Sequence, residues 1–136
     1  MNPIVRNILA VIAGLVSGSI LNMGIILISS SVIPPPEGAN LTTPEGLIAA
    51  MPLMQPIHFL MPFLAHALGT LLGAWVSTFI ANKNQLTAAL IIAALFFVGG
   101  AMNIAMLPSP MWFNVVDLVL AYFPMAYLAL KIRGIK

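Results

Sequence analysis

The chain has 136 residues, 61% hydrophobic and 6% charged, with a mean hydropathy of +1.08. A soluble domain carries about a quarter charged residues, and a disordered segment needs low hydrophobicity and high charge, so both classes are excluded. There are no cysteines, which removes disulfides, zinc–thiolate sites and thiol nucleophiles, and a net charge of +2 is too small to hold a nucleic acid.

A membrane helix needs roughly 20 mostly apolar residues at 1.5 Å each. The first stretch that qualifies runs over residues 7–33. It follows Arg6 as a secretory signal would, but its apolar run exceeds the roughly 7–15 residues of a signal core, so it is expected as a retained helix. The loop 34–56 follows. Pro34-Pro35-Pro36-Glu37-Gly38 cannot continue a helix and reads as extended polyproline. Thr43, Pro44 and Glu45 have the N-cap, N1 and first-turn chemistry of a helix start, predicting a short interfacial helix over about 44–51. The second span covers 57–81 and the third 86–107. The fourth, 111–132, contains one acid, Asp117. The apolar runs are continuous rather than alternating, which selects helices over a β-barrel. The expectation is an all-α integral membrane four-helix bundle forming one transmembrane domain over residues 1–136. Pro62 and Pro124 are expected to kink their helices.

All five basic residues, Arg6, Lys83, Lys131, Arg133 and Lys136, fall on one side of these spans, while Glu37 and Glu45 fall on the other. The positive-inside rule then places both termini in the cytoplasm. Ala10, Gly14, Gly18 and Asn22 recur every four residues on the first span, as do Ala65, Gly69, Gly73 and Ser77 on the second. Lipid is as apolar as leucine, so close approach of small residues is what joins membrane helices, and these two stripes are expected to pack together. Gly18 to Met23 resembles Gly99 to Ile104, and Pro56 to Phe59 resembles Pro110 to Phe113, which suggests a weak 2+2 hairpin repeat.

Ionisable groups inside a membrane face a bundle interior or water. Asn22, His58, His66, Asn103, Asn114 and Asp117 all collect towards the half nearest the acidic loop. Asn22 and Asn103 read as interhelical hydrogen-bond partners. Asp117, about 8 Å below the start of its helix, either reaches interfacial water or turns inward. His66 is either a structural histidine or, paired with Asp117, part of an outward-facing polar pocket for a ligand or ion. His58, Glu37 or Glu45 could supplement it. The spacing matches no metal motif, and no cofactor, nucleotide loop or nucleophile elbow is recognisable, so no enzyme is expected.

The runs Val32 to Gly38, Pro62 to Thr70, Trp112-Phe113 and Asp117 to Tyr122 resemble small four-helix bacterial inner-membrane proteins without an assigned activity. The resemblance implies that topology and location and brings no function. The membrane-embedded first-helix glutamate of small multidrug transporters is absent, as are the motifs of fluoride channels. Three functions remain open. The first is oligomeric transport or permeation of a small solute or ion through the pocket. The second is an accessory or scaffold subunit packing on a larger membrane complex through its glycine stripes. The third is a small intramembrane enzyme. The expected partners are the lipid bilayer and either further copies or a larger complex.

Overall fold

The computed structural model describes all 136 residues and is helical throughout, without strands. Helix α1 spans Pro3–Val32. It starts four residues earlier than the hydropathy suggests, because Asn2 and Pro3 form a start signal in which the Asn2 side chain accepts from the Ile4 amide at 2.8 Å. Helix α2 spans Pro44–Ala50, capped as expected by Thr43, whose hydroxyl accepts from the Gly46 amide at 3.1 Å. Tight 3-10 turns over Met51–Leu53 and Pro56–Phe59 lead into α3, Leu60–Ile80. Helix α4 spans Gln85–Met106, α5 Met111–Leu120 and α6 Phe123–Ile132.

Four stretches are long and apolar enough to cross a membrane: Pro3–Val32, Pro56–Ile80, Gln85–Met106 and Met111–Ile132. This is the make-up of a multi-pass membrane protein. The fourth stretch is two helices rather than one. Pro124 has no amide to offer the Leu120 carbonyl and its ring crowds that turn. The helix breaks at Tyr122, whose φ of −119° and ψ of −82° lie outside the helical well.

The contact between α1 and α3 is almost backbone on backbone. A Cβ added to Gly14 would lie 2.5 Å from the Gly73 carbonyl oxygen, and one added to Gly18 would lie 2.5 Å from that of Gly69. The pairs advance by four residues in opposite directions, so the helices run antiparallel in a fixed register. Ala10, Ala65 and Ser77, which extend the stripes, are fully buried. The sequence stripes therefore meet each other as expected. Used within the chain, these glycines are not presented to a partner. Next to this seam, α3, α4 and α6 share a core of Ala74, Ala89, Ile92, Ala93, Ala126, Ala129 and Leu130. It is mostly alanine, as expected where cohesion comes from close approach rather than from expelling water.

The two ends differ in charge. At one, the Arg6 Nε donates to the Ile80 carbonyl at 2.6 Å and the Asn82 amide donates to the Asn7 side chain at 3.2 Å. The Gln85 side chain donates to the Thr78 carbonyl at 3.2 Å. The Arg6 and Gln85 bonds satisfy carbonyls that the last turns of α3 leave without intrahelical partners. The Arg133 guanidinium sits 4.7 Å from the Phe79 ring centroid. With Lys83 in the α3–α4 turn and Lys131 and Lys136 at the chain end, this is the basic end. Glu37 and Glu45 lie on the exposed loop at the opposite, loop end.

Because the α1–α3 seam leaves no room for a side chain, Gly14→Ala and Gly18→Ala should each destabilise the protein by about 1–3 kcal/mol through overpacking. Gly24, whose Cβ position faces open space, should gain up to about 1 kcal/mol from its better helix propensity as alanine. Unfolding in mixed micelles compares the three, and equal effects would refute a tight seam.

Candidate ligand-binding site

Asp117 lies two turns into α5 and turns inward rather than towards interfacial water, with 1% of its surface exposed. A buried carboxylate is tolerated only when its oxygens find donors. Both do. His66 Nδ1 on α3 lies 2.8 Å from Oδ1, and the Tyr122 hydroxyl donates to Oδ2 at 2.8 Å. An ionised carboxylate only accepts, so Nδ1 carries its proton and donates. The Nε2 atom of His66 is then left without a partner in the chain, and it is open to solvent space rather than sealed in.

The other partner depends on the break in the fourth span. Residues five apart in a continuous α-helix sit about 140° apart around the axis, so Tyr122 could not reach Asp117. The break at Tyr122 brings the hydroxyl back. Room for it comes from α4: a Cβ at Gly100 would collide with the Tyr122 hydroxyl. The Tyr122 ring stacks on the His66 imidazole at 6.0 Å and meets Phe97 edge-on at 5.8 Å, which holds the histidine in place. The Thr70 hydroxyl donates to the His66 carbonyl at 2.8 Å, a back-bond of the kind that bends helices slightly.

His66 lines a cavity of about 230 Å³ bounded by α1, α3 and α4. Asn22 and Asn103 line it from α1 and α4. Neither amide makes a hydrogen bond within the chain, so the expected interhelical bonding is not formed and both remain free for a ligand or water. Phe96 borders the cavity and also fills the space beside Gly18, while Gly69, Gly99 and Gly100 contribute walls without side chains. A Cβ on Gly99 would meet nothing within 4 Å. His66 also borders a second, larger cleft of about 520 Å³ that runs to the loop end past Pro62, Met61 and His58. It stands where the two spaces approach each other.

The remaining predicted residues are placed elsewhere. The Gln55 amide donates to His58 Nδ1 at 2.9 Å, so His58 Nε2 carries the proton and donates to the Pro34 carbonyl at 3.1 Å. His58 thus ties the proline loop to the start of α3, and both its nitrogens are used. Asn114 closes the α4–α5 turn, accepting from the Ser109 hydroxyl at 2.6 Å and donating to the Ser109 carbonyl at 3.4 Å. Glu37 and Glu45 are exposed on the loop and form no ion pair. Residue patterns did not single out Tyr122, Phe96 or Gly100 as site residues. Pro124, two residues after a tyrosine in mid-span, was the available signal for the first.

Chemically, the site offers one imidazole nitrogen backed by a buried carboxylate, two free amides and aromatic walls. No group of three or more His, Cys, Asp or Glu side chains converges on a metal-sized space. No Ser or Thr hydroxyl lines the smaller cavity with His66, while Ser29, Ser30, Thr42 and Ser109 line the larger cleft. No protein-family model matches the chain, and neither curated proteins nor solved structures provide a match.

Tyr122→Phe leaves one oxygen of a buried carboxylate without its donor. It should lower unfolding stability by about 1–3 kcal/mol, measured by denaturant titration in micelles. Tyr127→Phe, at an exposed tyrosine, should change it by less than about 0.5 kcal/mol.

Proposed function

We propose that this chain is a small transport or permeation protein of the bacterial inner membrane, a four-helix bundle with both termini in the cytoplasm, working as a homo-oligomer. One observation carries the reading: His66, with its unpartnered Nε2 backed by Asp117, borders both the polar cavity and the cleft that runs to the loop end. An ionisable pair inside a span is expensive and is the usual mark of a solute or proton path. The cavity is smaller than the roughly 300 Å³ at which drug-sized pockets begin, which suits a small solute or ion. Below it, Phe96 and the α1–α3 seam fill the space towards the basic end. A complete path therefore requires a rearrangement or neighbouring copies, in keeping with a chain of only 14.4 kDa. The charge asymmetry of the two ends supports the orientation, with the basic end cytoplasmic.

The test is solute flux in liposomes containing the purified protein. His66→Ala and Asp117→Asn should reduce flux at least about tenfold, a loss of about 1.4 kcal/mol in the binding or barrier step, while Tyr127→Phe leaves it unchanged. No flux of any small ion or amine, together with co-purification of a larger membrane partner, would replace this reading with an accessory subunit. For the orientation, a reporter active only outside the cytoplasm should be silent on the C-terminus and active when inserted at Gly38. This exposed loop glycine has φ +79° and open space around it.

A further inference from the structure

We infer that the ligand of the His66 cavity is a small primary ammonium ion. This rests on the reading above that the cavity takes up a solute, and it names the solute's class from four features of the walls.

The first is charge. The only formal charge in contact with His66 is the Asp117 carboxylate, and all five basic residues lie at or towards the opposite end. An anion would meet a negative field with no cation to answer it, whereas a cation is drawn in. The second is the donor and acceptor pattern. With Nδ1 donating to Asp117, His66 presents a lone pair at Nε2. The free amides of Asn22 and Asn103 add carbonyl oxygens. Such acceptors want N–H donors, and an alkali cation prefers a full set of hard oxygens over an imidazole nitrogen.

The third is the aromatic wall. Phe96 and Tyr122 both line the space, and ring faces attract ammonium groups, more strongly where water is excluded. The Tyr122 ring is made more electron-rich by the hydrogen bond its hydroxyl donates to Asp117. The fourth is size. A volume of about 230 Å³, set against the roughly 30 Å³ that each water occupies in the liquid, holds an ion of a few heavy atoms with some water. Ala65, Gly69 and Gly99 leave apolar space for a short alkyl group.

The test is equilibrium binding of labelled methylammonium chloride to the full-length protein in detergent, with potassium chloride, sodium acetate and acetamide as competitors. Methylammonium should bind saturably and resist all three competitors. Asp117→Asn should weaken its binding at least about tenfold. Should that variant fail to fold, Asn103→Leu serves instead, because Asn103 lines the cavity, is exposed and makes no side-chain hydrogen bond within the chain. It should weaken binding at least about tenfold while the protein remains folded. Equal competition by acetate or acetamide, or unchanged binding in Asn103→Leu, would overturn the assignment. Methylammonium binding without liposome flux would end the transport reading and keep the ligand class. Flux of another solute without methylammonium binding would do the reverse.

Discussion

A carboxylate in hydrocarbon costs about 2.5–3.5 kcal/mol on insertion scales even before its hydrogen bonds are considered, and Asp117 is 1% exposed. The arrangement of the loop-end half follows from meeting that demand. One oxygen takes the His66 ring from α3 and the other takes the Tyr122 hydroxyl from beyond the break in its own span. The break exists because Pro124 withholds an amide, and the hydroxyl fits because position 100 is glycine. Three helices are thereby tied to one buried charge. Changing any one partner leaves a group of this buried trio without its hydrogen bond.

The same arrangement creates the open functional group. His66 has two ring nitrogens, and the carboxylate uses only Nδ1. The hydrogen bond to Asp117 and the stacking of Tyr122 fix the ring, and the other nitrogen has no partner in the chain. An imidazole fixed by a carboxylate behind it is a defined acceptor rather than a mobile one, because the second shell selects the tautomer. His58 provides the contrast within the same chain. Its two nitrogens are both used by backbone groups, so it joins the loop to α3 and has no nitrogen left for a ligand.

The cavity owes its position to two different uses of glycine. Between α1 and α3, Gly14, Gly18, Gly69 and Gly73 bring backbones together and eliminate space. On α4, Gly99 and Gly100 leave space that is not fully reclaimed: Tyr122 fills the part beside Gly100, and the part beside Gly99 stays open. Phe96, one turn nearer the basic end, closes the boundary between the packed region and the open one. Glycine frequency alone does not distinguish these roles, because the difference lies in what the facing helix presents.

The amino-acid sequence by itself determined the helices and their cohesion. Length and hydropathy locate the spans to within a few residues, because the bilayer thickness imposes them. Thr43 and Pro44 mark the short loop helix through local capping chemistry, and the four-residue glycine stripes of α1 and α3 encode a contact that needs only small residues on matching faces. His66 and Asp117 were legible as scarce polar groups at compatible depths. What only the tertiary structure decided was their company. Asn22 and Asn103 make no bond to each other and face the cavity, and Asn114 and His58 are engaged by backbone and turn groups nearby. Tyr122 joins the site through a helix break whose direction depends on the packing of α4 and α6. Periodicity reports which face of a regular helix a residue occupies. It cannot report where a side chain points once the helix is interrupted, or whether the space opposite a glycine is filled, because both depend on atoms distant in the chain.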